Sequence, residues 1–353
     1  MSNEKRILMC GSSLDYQGGM VSVVKNYLSW RDWDEFSIDY LPTHVPGGKV
    51  RVAIHFAAIL PKISRMLRSH EVDLVHLHVA ERGSFFRKAI IARKAKRAGI
   101  PVVLHHHAAE FEEFYSALDS GGKHYVRETL ESVDVNLVLS ESVREARLEH
   151  FPDARFQVLY NAVPSQPINA YDPCSSDVVF MGRIGHRKGT YDLLRAFARA
   201  LPTLPENCRL VLCGDGEVEK ADVLIDELGL RGRAECRGWV GPTERADAFR
   251  HACLYVLPSY NEGLPMSILE AMSYGVPVIS TNIAAIPEVV RPGNTGSLVE
   301  PGDTEALASE IERLVGDTAL RSEMSKNAYD LVCQSFSLGP HTKRLKDVWR
   351  TLC

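Results

Sequence analysis

The feature that most constrains this chain is an alternation of short apolar runs with longer amphipathic stretches, which restarts half-way along. Residues 6–10 (RILMC), 36–41, 73–78 (DLVHLH), 101–107 (PVVLHHH), 135–140 and 156–160 read as strands. Helical spacing runs through 19–30, 50–69 and a basic segment after His78. Repeated strand–helix–strand order argues a parallel sheet with helices on both faces. The pattern then begins again. Residues 177–182 (DVVFMG), 209–214, 234–237, 254–258 and 276–280 are strand-like, with a helix expected at 191–201. Between the halves, 161–177 (NAVPSQPINAYDPCSSD) carries three prolines among Ser, Asn and Asp, the composition of a linker. The expected class is α/β: two doubly wound, Rossmann-like parallel-sheet domains facing each other across a cleft, with ligands outside the carboxyl ends of the strands. The expected divisions are 1–165, 166–334 and 335–353, the last a break at Gly339-Pro340 followed by a terminal amphipathic helix free to cross back to the first domain.

Composition narrows the partners. A chain of 353 residues can bury two ordinary cores. Its 41 basic and 45 acidic residues give a net charge of −4, so no whole-chain field calls for nucleic acid. The eight cysteines are scattered and form no C-x-x-C pair, which excludes a zinc or disulfide framework and fits a reducing cytoplasm. No apolar run approaches the roughly 18 residues of a membrane span, so a bilayer could be met only from outside, on its inner face. Charge is uneven along the chain. Residues 82–97, from Arg82 to Arg97, hold seven basic residues and no acidic one, with Phe85, Phe86, Ile90 and Ile91 as an apolar side. Residues 50–68 add Arg51, Lys62, Arg65 and Arg68, again without acid. Such helices suit an anionic lipid surface, or else face a core with solvated charge.

Three segments carry chemistry. In 259–279 (SYNEGLPMSILEAMSYGVPVI) a strand ends, a loop carries Glu262-Gly263, and Pro265 suits the first turn of a helix that stops at Gly275. The N–H groups of Gly263, Leu264 and Met266 would then mark an anion site at the helix N-terminus, with Glu262 in the loop and Glu270 three residues beyond Ser267. Two solvated glutamates favoured by the helix dipole are the plainer reading. In 178–194 (VVFMGRIGHRKGTYDLL) a strand leads to Arg183 and Lys188-Gly189, two cations about a flexible turn, which suit a diphosphate. In the first loop, Gly18-Gly19 opens a helix and lets backbone approach a ligand closely. His76 and His78 alternate onto one face and could share a ligand with the histidines at 105–107, but no Asp or Cys follows at ligand spacing. Asp32-Trp33-Asp34 reads as a polar turn.

Together these segments resemble the GT-B retaining glycosyltransferases of family four, the glycogen-synthase-like "glycosyl transferases group 1". Glu262 and Glu270 stand at that family's E-x7-E spacing, within EGLPMSILEAMSYGVPVI. GRIGHRKG, YNAVP, LCGDGE and the turn at Pro301-Gly302-Asp303 are similar to its other signatures. The resemblance covers nearly the whole chain, most specifically 178–303. It implies that Arg183 and Lys188 stabilise a diphosphate leaving group, that Glu262 holds donor-sugar hydroxyls and Glu270 the ribose hydroxyls. It implies that Gly263, Leu264, Pro265 and Ser267 line the donor, that Val240 meets the base through its backbone, and that Gly18 and Gly19 approach the phosphate. His107 would point at the donor sugar, though Ala108 departs from the family's frequent H-G and the choice among His105, His106 and His107 stays open.

The implied activity is retaining transfer of a hexosyl group from a nucleotide-diphosphate sugar, UDP-linked ahead of GDP-linked, to a glycan or lipid-linked acceptor of bacterial surface polysaccharide. No metal or other cofactor is expected. A nucleotide-sugar epimerase of similar fold is the alternative, and a catalytically silent binding subunit a third reading.

Overall fold

The computed structural model describes residues 4–353. The chain divides into two compact units: the part up to Ala162 together with Leu338–Cys353, and Val163–Ser337. Both divisions fall three residues from the expected ones, at 162/163 rather than 165/166 and at 337/338 rather than 334/335. The reason is local. Val163 forms a parallel bridge with Ser337, and its N–H donates to Phe336 O at 3.0 Å, so both passing segments belong to the second unit.

The first unit is a parallel sheet of β1 (Lys5–Ser12), β2 (Phe36–His44), β3 (Leu74–Val79), β4 (Val102–His106), β5 (Val135–Val138) and β6 (Phe156–Val158) in the order β2-β1-β3-β4-β5-β6. Its helices are α1 (Gly19–Ser29), α2 (Lys49–Arg68), α3 (Gly83–Arg97), α4 (Phe111–Ser116), α5 (Ser120–Ser132) and α6 (Glu141–His150). Ile7 through Cys10 are all fully buried, as expected where helices cover both faces. Register sets Met9 beside His76 and His78 beside His105.

Helix α3, the basic stretch of 82–97, turns one side to the core, and three of its seven basic residues meet acids. Phe85 and Ile91 are fully buried in the core, and Phe86 packs against it. Arg82 pairs with Glu110, Arg93 with Glu128 and Lys96 with Asp134, all acids from other elements. Sequence proximity hid these partners. Helix α2 also presents an open face, where Val50 and Ile54 are 74% and 65% exposed.

The second unit is a parallel sheet of β7 (Asp177–Met181), β8 (Arg209–Cys213), β9 (Ala234–Gly238), β10 (Ala252–Leu257), β11 (Val278–Thr281) and β12 (Gly296–Val299) in the order β12-β11-β10-β7-β8-β9. Its helices are α7 (Thr190–Ala200), α8 (Val218–Glu227), α9 (Pro242–Arg250), α10 (Met266–Ser273), α11 (Ile286–Val289), α12 (Thr304–Gly316) and α13 (Thr318–Leu331). The central strands β7 and β10 lie side by side, so their carboxyl ends bring distant segments together.

The last helix, α14 (Leu338–Arg350), belongs to the first unit. Gly339 and Pro340 lie within its first turn and do not break it. Proline is tolerated there because its missing N–H has no intrahelical partner to lose. The interruption comes earlier, in a π turn at Val332–Phe336. Trp349 of α14 is fully buried, with its ring 5.2 Å from Trp33 and 5.3 Å from Phe36. The segment Asp32-Trp33-Asp34 is the docking point. Trp33 packs under Trp349, while Asp34 pairs with Lys346 at 2.9 Å and Arg350 at 2.7 Å.

Candidate active site

The turn after β7 and the loop after β10 are joined residue by residue. Gly189, which follows Lys188, has φ 67°, and a Cβ there would lie 2.0 Å from Pro258 O. Only glycine lets this turn adopt a left-handed backbone and press against the end of β10. Tyr260 N–H then donates to Arg187 O at 2.9 Å, and Arg187 Nη1 to Asn261 O at 3.2 Å.

This sewing places Lys188 Nζ on Glu262 Oε1. Ser259 Oγ donates to the same oxygen at 2.8 Å. Both charged side chains are largely buried, at 14% and 7% exposure, so each is held where a ligand would find it already oriented. Arg183 is exposed, with no hydrogen bond or ion pair among the described residues, and is free to meet an anion.

Helix α10 starts one residue later than its sequence implied. Pro265 stands just outside as the cap, with ψ 123°, so the first-turn N–H groups are those of Met266, Ser267 and Ile268 rather than Gly263, Leu264 and Met266. Gly263 O accepts the N–H of Ala285 at 3.3 Å, and Leu264 is buried. The buried Tyr255 hydroxyl donates to Met181 O at 3.0 Å and so ties β10 to the end of β7. One turn on, Glu270 faces Arg245 of α9, whose Nη1 lies 3.2 Å from both carboxylate oxygens. Burial still raises the Glu270 carboxyl above its ordinary range, against the pull of Arg245. Val240 is buried in the short turn between β9 and α9, next to the half-exposed Trp239.

In the second unit, then, Lys188 and Glu262 touch, with Ser267 and Glu270 on the adjoining helix. Sequence reasoning missed Ser259, Tyr255 and Arg245. Ser259 had a signal, three residues before Glu262 at the end of a strand. Arg245 had none, being 25 residues from its partner.

In the first unit, Gly18 caps α1 with φ 136° and Gly19 begins it. The three adjacent histidines separate by environment. His105 and His106 are buried, and His106 meets Asn136 Oδ1 at 3.2 Å. His107 stands half-buried just past β4, its backbone N–H on Val79 O at 2.8 Å.

The model "Glycosyl transferases group 1" matches residues 169–331, and "Glycosyltransferase Family 4" matches 13–166. The chain is 27% identical over 296 residues to the N-acetyl-alpha-D-glucosaminyl L-malate synthase of Bacillus anthracis, covering 79% of this chain and 74% of that protein. It is 35% identical over 168 residues to the lipopolysaccharide core biosynthesis glycosyltransferase LpsE of Rhizobium meliloti, covering 47% of each. The matches at 31–35% identity to the first-ranked curated relatives span 21% to 47% of those proteins' lengths. In fold, the chain is similar to HepE of Anabaena, solved with UDP and glucose, at TM-score 0.74 and 19% identity, covering 99% of this chain and 100% of that one.

Proposed function

The chain belongs to the GT-B glycosyltransferases of family-four type, and from that premise we propose that it transfers a sugar from a nucleotide-diphosphate donor to a glycan or lipid-linked acceptor, with retention at the sugar carbon. The observation that carries the reading is the cluster of Lys188, Glu262 and Ser259 at the joined ends of β7 and β10.

Cleaving a sugar–phosphate bond leaves an electron-poor sugar and a diphosphate of growing negative charge. Lys188, the exposed Arg183 and the first-turn N–H groups of α10 offer fixed positive charge to that leaving group, the kind of stabilisation that commonly dominates catalysis. Glu262 and Glu270 are acceptors for sugar and ribose hydroxyls, with Gly263, Leu264, Pro265, Ser267 and Val240 around the donor. Gly18, Gly19 and His107 are the first unit's contribution to substrate. In this scheme the departing phosphate takes the acceptor's proton on the same face, and no metal is called for, because protein cations supply the charge. A UDP-linked donor is favoured by HepE, whose solved complex contains UDP and glucose. Surface-polysaccharide synthesis is favoured by the name of LpsE. The family match leaves the epimerase reading without support.

Among the described residues no helix is long and apolar enough to cross a membrane. For contact with a lipid surface, α2 is the better-placed element, with exposed Val50 and Ile54 beside Arg51 and no acid along the helix. Val50→Asp/Ile54→Asp should abolish sedimentation with anionic vesicles at low salt; unchanged sedimentation would remove lipid contact from α2.

The deciding experiment is a screen of nucleotide sugars for thermal stabilisation, followed by transfer assays. A ligand at 100 times its dissociation constant adds about 2.7 kcal/mol, enough to register. Stabilisation by a nucleoside diphosphate that disappears in Arg183→Ala/Lys188→Ala is expected. No response to any nucleotide sugar would sink the reading, and turnover lost in EDTA and restored by a divalent cation would overturn the metal-free scheme.

A further inference from the structure

Five histidines of the first unit form one group: His76 and His78 on β3, His105 and His107 along and just beyond β4, and His341 on α14, which joins the others through the Tyr27 ring. The proposed reaction uses only His107. The hydrogen bonds within the group have directions that follow from their ends. Trp349 can only donate, and its Nε1–H meets His76 Nδ1 at 3.2 Å. A neutral His76 therefore carries its proton on Nε2, which lies 3.3 Å from His105 Nδ1. His105 must then hold its own proton on Nε2, a buried atom with no acceptor among the described residues. Likewise, the Tyr160 carbonyl only accepts, so His341 Nδ1 donates to it at 2.8 Å and His341 Nε2 accepts from the Tyr27 hydroxyl at 2.6 Å. Burial keeps the group neutral: it depresses His76 and His107 to about 3 and holds His78 and His105 well below the ordinary histidine value.

The remaining bond joins His78 Nδ1 and His107 Nε2 at 2.9 Å. Its direction decides what His107 can do. His78 Nε2 is buried and has no partner among the described residues. Were His107 the donor, that atom would be a second buried N–H without an acceptor, beside the one on His105, whose ring centroid is 5.2 Å away. Were His78 the donor, that atom would be a bare lone pair, and no buried N–H would be added to the one on His105. The second arrangement costs less, because a buried donor left unpaired loses the full strength of its bond to water.

We propose that His78 is a positioning residue for His107: its Nδ1–H donates to His107 Nε2, fixes the ring, and leaves the His107 proton on Nδ1, so that His107 meets substrate oxygen as a hydrogen-bond donor and not as a base. The proposal rests on the assignment of His107 to the substrate. It also replaces the metal reading of this group. The ligand atoms of His76, His78 and His105 lie within 4.8 Å of one another, but His76 has no lone pair to give, one nitrogen being taken by Trp349 and the other protonated.

The test is long-range 1H–15N correlation on 15N-histidine protein at pH 7.5, with the His107 signals assigned by their loss in His107→Gln. Wild type should show Nδ1 protonated and Nε2 bare. His78→Asn, whose side-chain amide can occupy the place of Nδ1, should keep that pattern, and His78→Leu should show averaged tautomers. In transfer assays His78→Leu should lose about tenfold in kcat with donor KM within about twofold, while His78→Asn keeps most of its turnover. A wild-type His107 protonated on Nε2, or a His78→Leu variant with wild-type kcat, overturns the proposal. Should His78→Leu fail to fold, the wild-type and His78→Asn spectra decide it alone. Absence of transfer by wild type would instead overturn the transferase reading, since the ring protonation is read without turnover.

Discussion

The two units share one architecture and spend it differently. In both, six parallel strands present their carboxyl ends to loops and helix starts. In the first unit the positions near those ends are filled by neutral rings: His76, His78 and His105, closed over by Trp349 and His341 of a helix that arrives from the far end of the chain. In the second they hold a Lys188–Glu262 ion pair and a Glu270–Arg245 pair, with Arg183 left exposed. A fold therefore does not dictate where charge sits. The same strand ends can be packed for shape or kept ready for an anion, and the side chains decide.

If that contrast is right, changes in the first unit strike stability and changes in the second strike chemistry. The largest effect should come from Trp349→Ala. It removes a fully buried ring and the one N–H that donates to His76 among the described residues, and should cost about 3–5 kcal/mol, seen as an early calorimetric transition of the first unit with the second little changed. Equal loss in both units would break the comparison.

Acid should come next. His76, His106, His107 and His341 have folded values depressed to about 3–4, below the roughly 6.5 of an unfolded chain. The unfolded state therefore binds more protons between those values. The stability that neutral burial contributes is present above about pH 6.5 and is lost as pH falls through it, by roughly 1 kcal/mol per such histidine at pH 6. Every histidine so depressed lies in the first unit, so its melting temperature should fall between pH 7.5 and pH 5.5 ahead of the second unit's. A second unit that melts first on acidification would contradict the assignment.

Lys188→Ala should cut turnover at least about tenfold, the scale of a lost charge-stabilising contact. It also strands Glu262, buried with Ser259 alone, so it should be less stable than Lys188→Ala/Glu262→Ala while the double variant is no more active. Recovery of activity in the double variant would mean that the single variant fails because Glu262 is stranded, and that the reaction needs neither charge. The smallest effect should be Asp32→Asn, an exposed position in the α14 docking turn: stability within about 0.5 kcal/mol and unchanged turnover with or without added divalent cations. A cation requirement lost in Asp32→Asn would mean that the turn at Asp32-Trp33-Asp34 binds a metal ion as well as α14.

Most strands were legible because parallel strands buried on both faces read as continuous apolar runs, as at Ile7–Cys10. Strand β12 (GSLV), half of it glycine and serine, gave no such run and was not anticipated. Lys188, Glu262, Ser267 and Glu270 were legible because they lie on two short segments with recognisable spacing. The helix start at Met266 was misplaced by one residue, since proline suits either side of a helix boundary. Arg245 was invisible, because nothing local marks which of many surface arginines will face Glu270.

The sequence by itself determined the alternation of elements, the restart of the pattern after residue 161, and the residue types at the turn and loop that make an anion site. These are local properties, written in periodicity and in glycine and proline placement. Only the tertiary structure decided that the acids for the basic helix α3 come from other elements, that Asp34 anchors α14, and that Trp349 sets the direction of a hydrogen-bond chain ending at His107. Each of these depends on pairing between residues tens to hundreds of positions apart, and a pairing of that kind is fixed by packing and not by the chemistry of either partner alone.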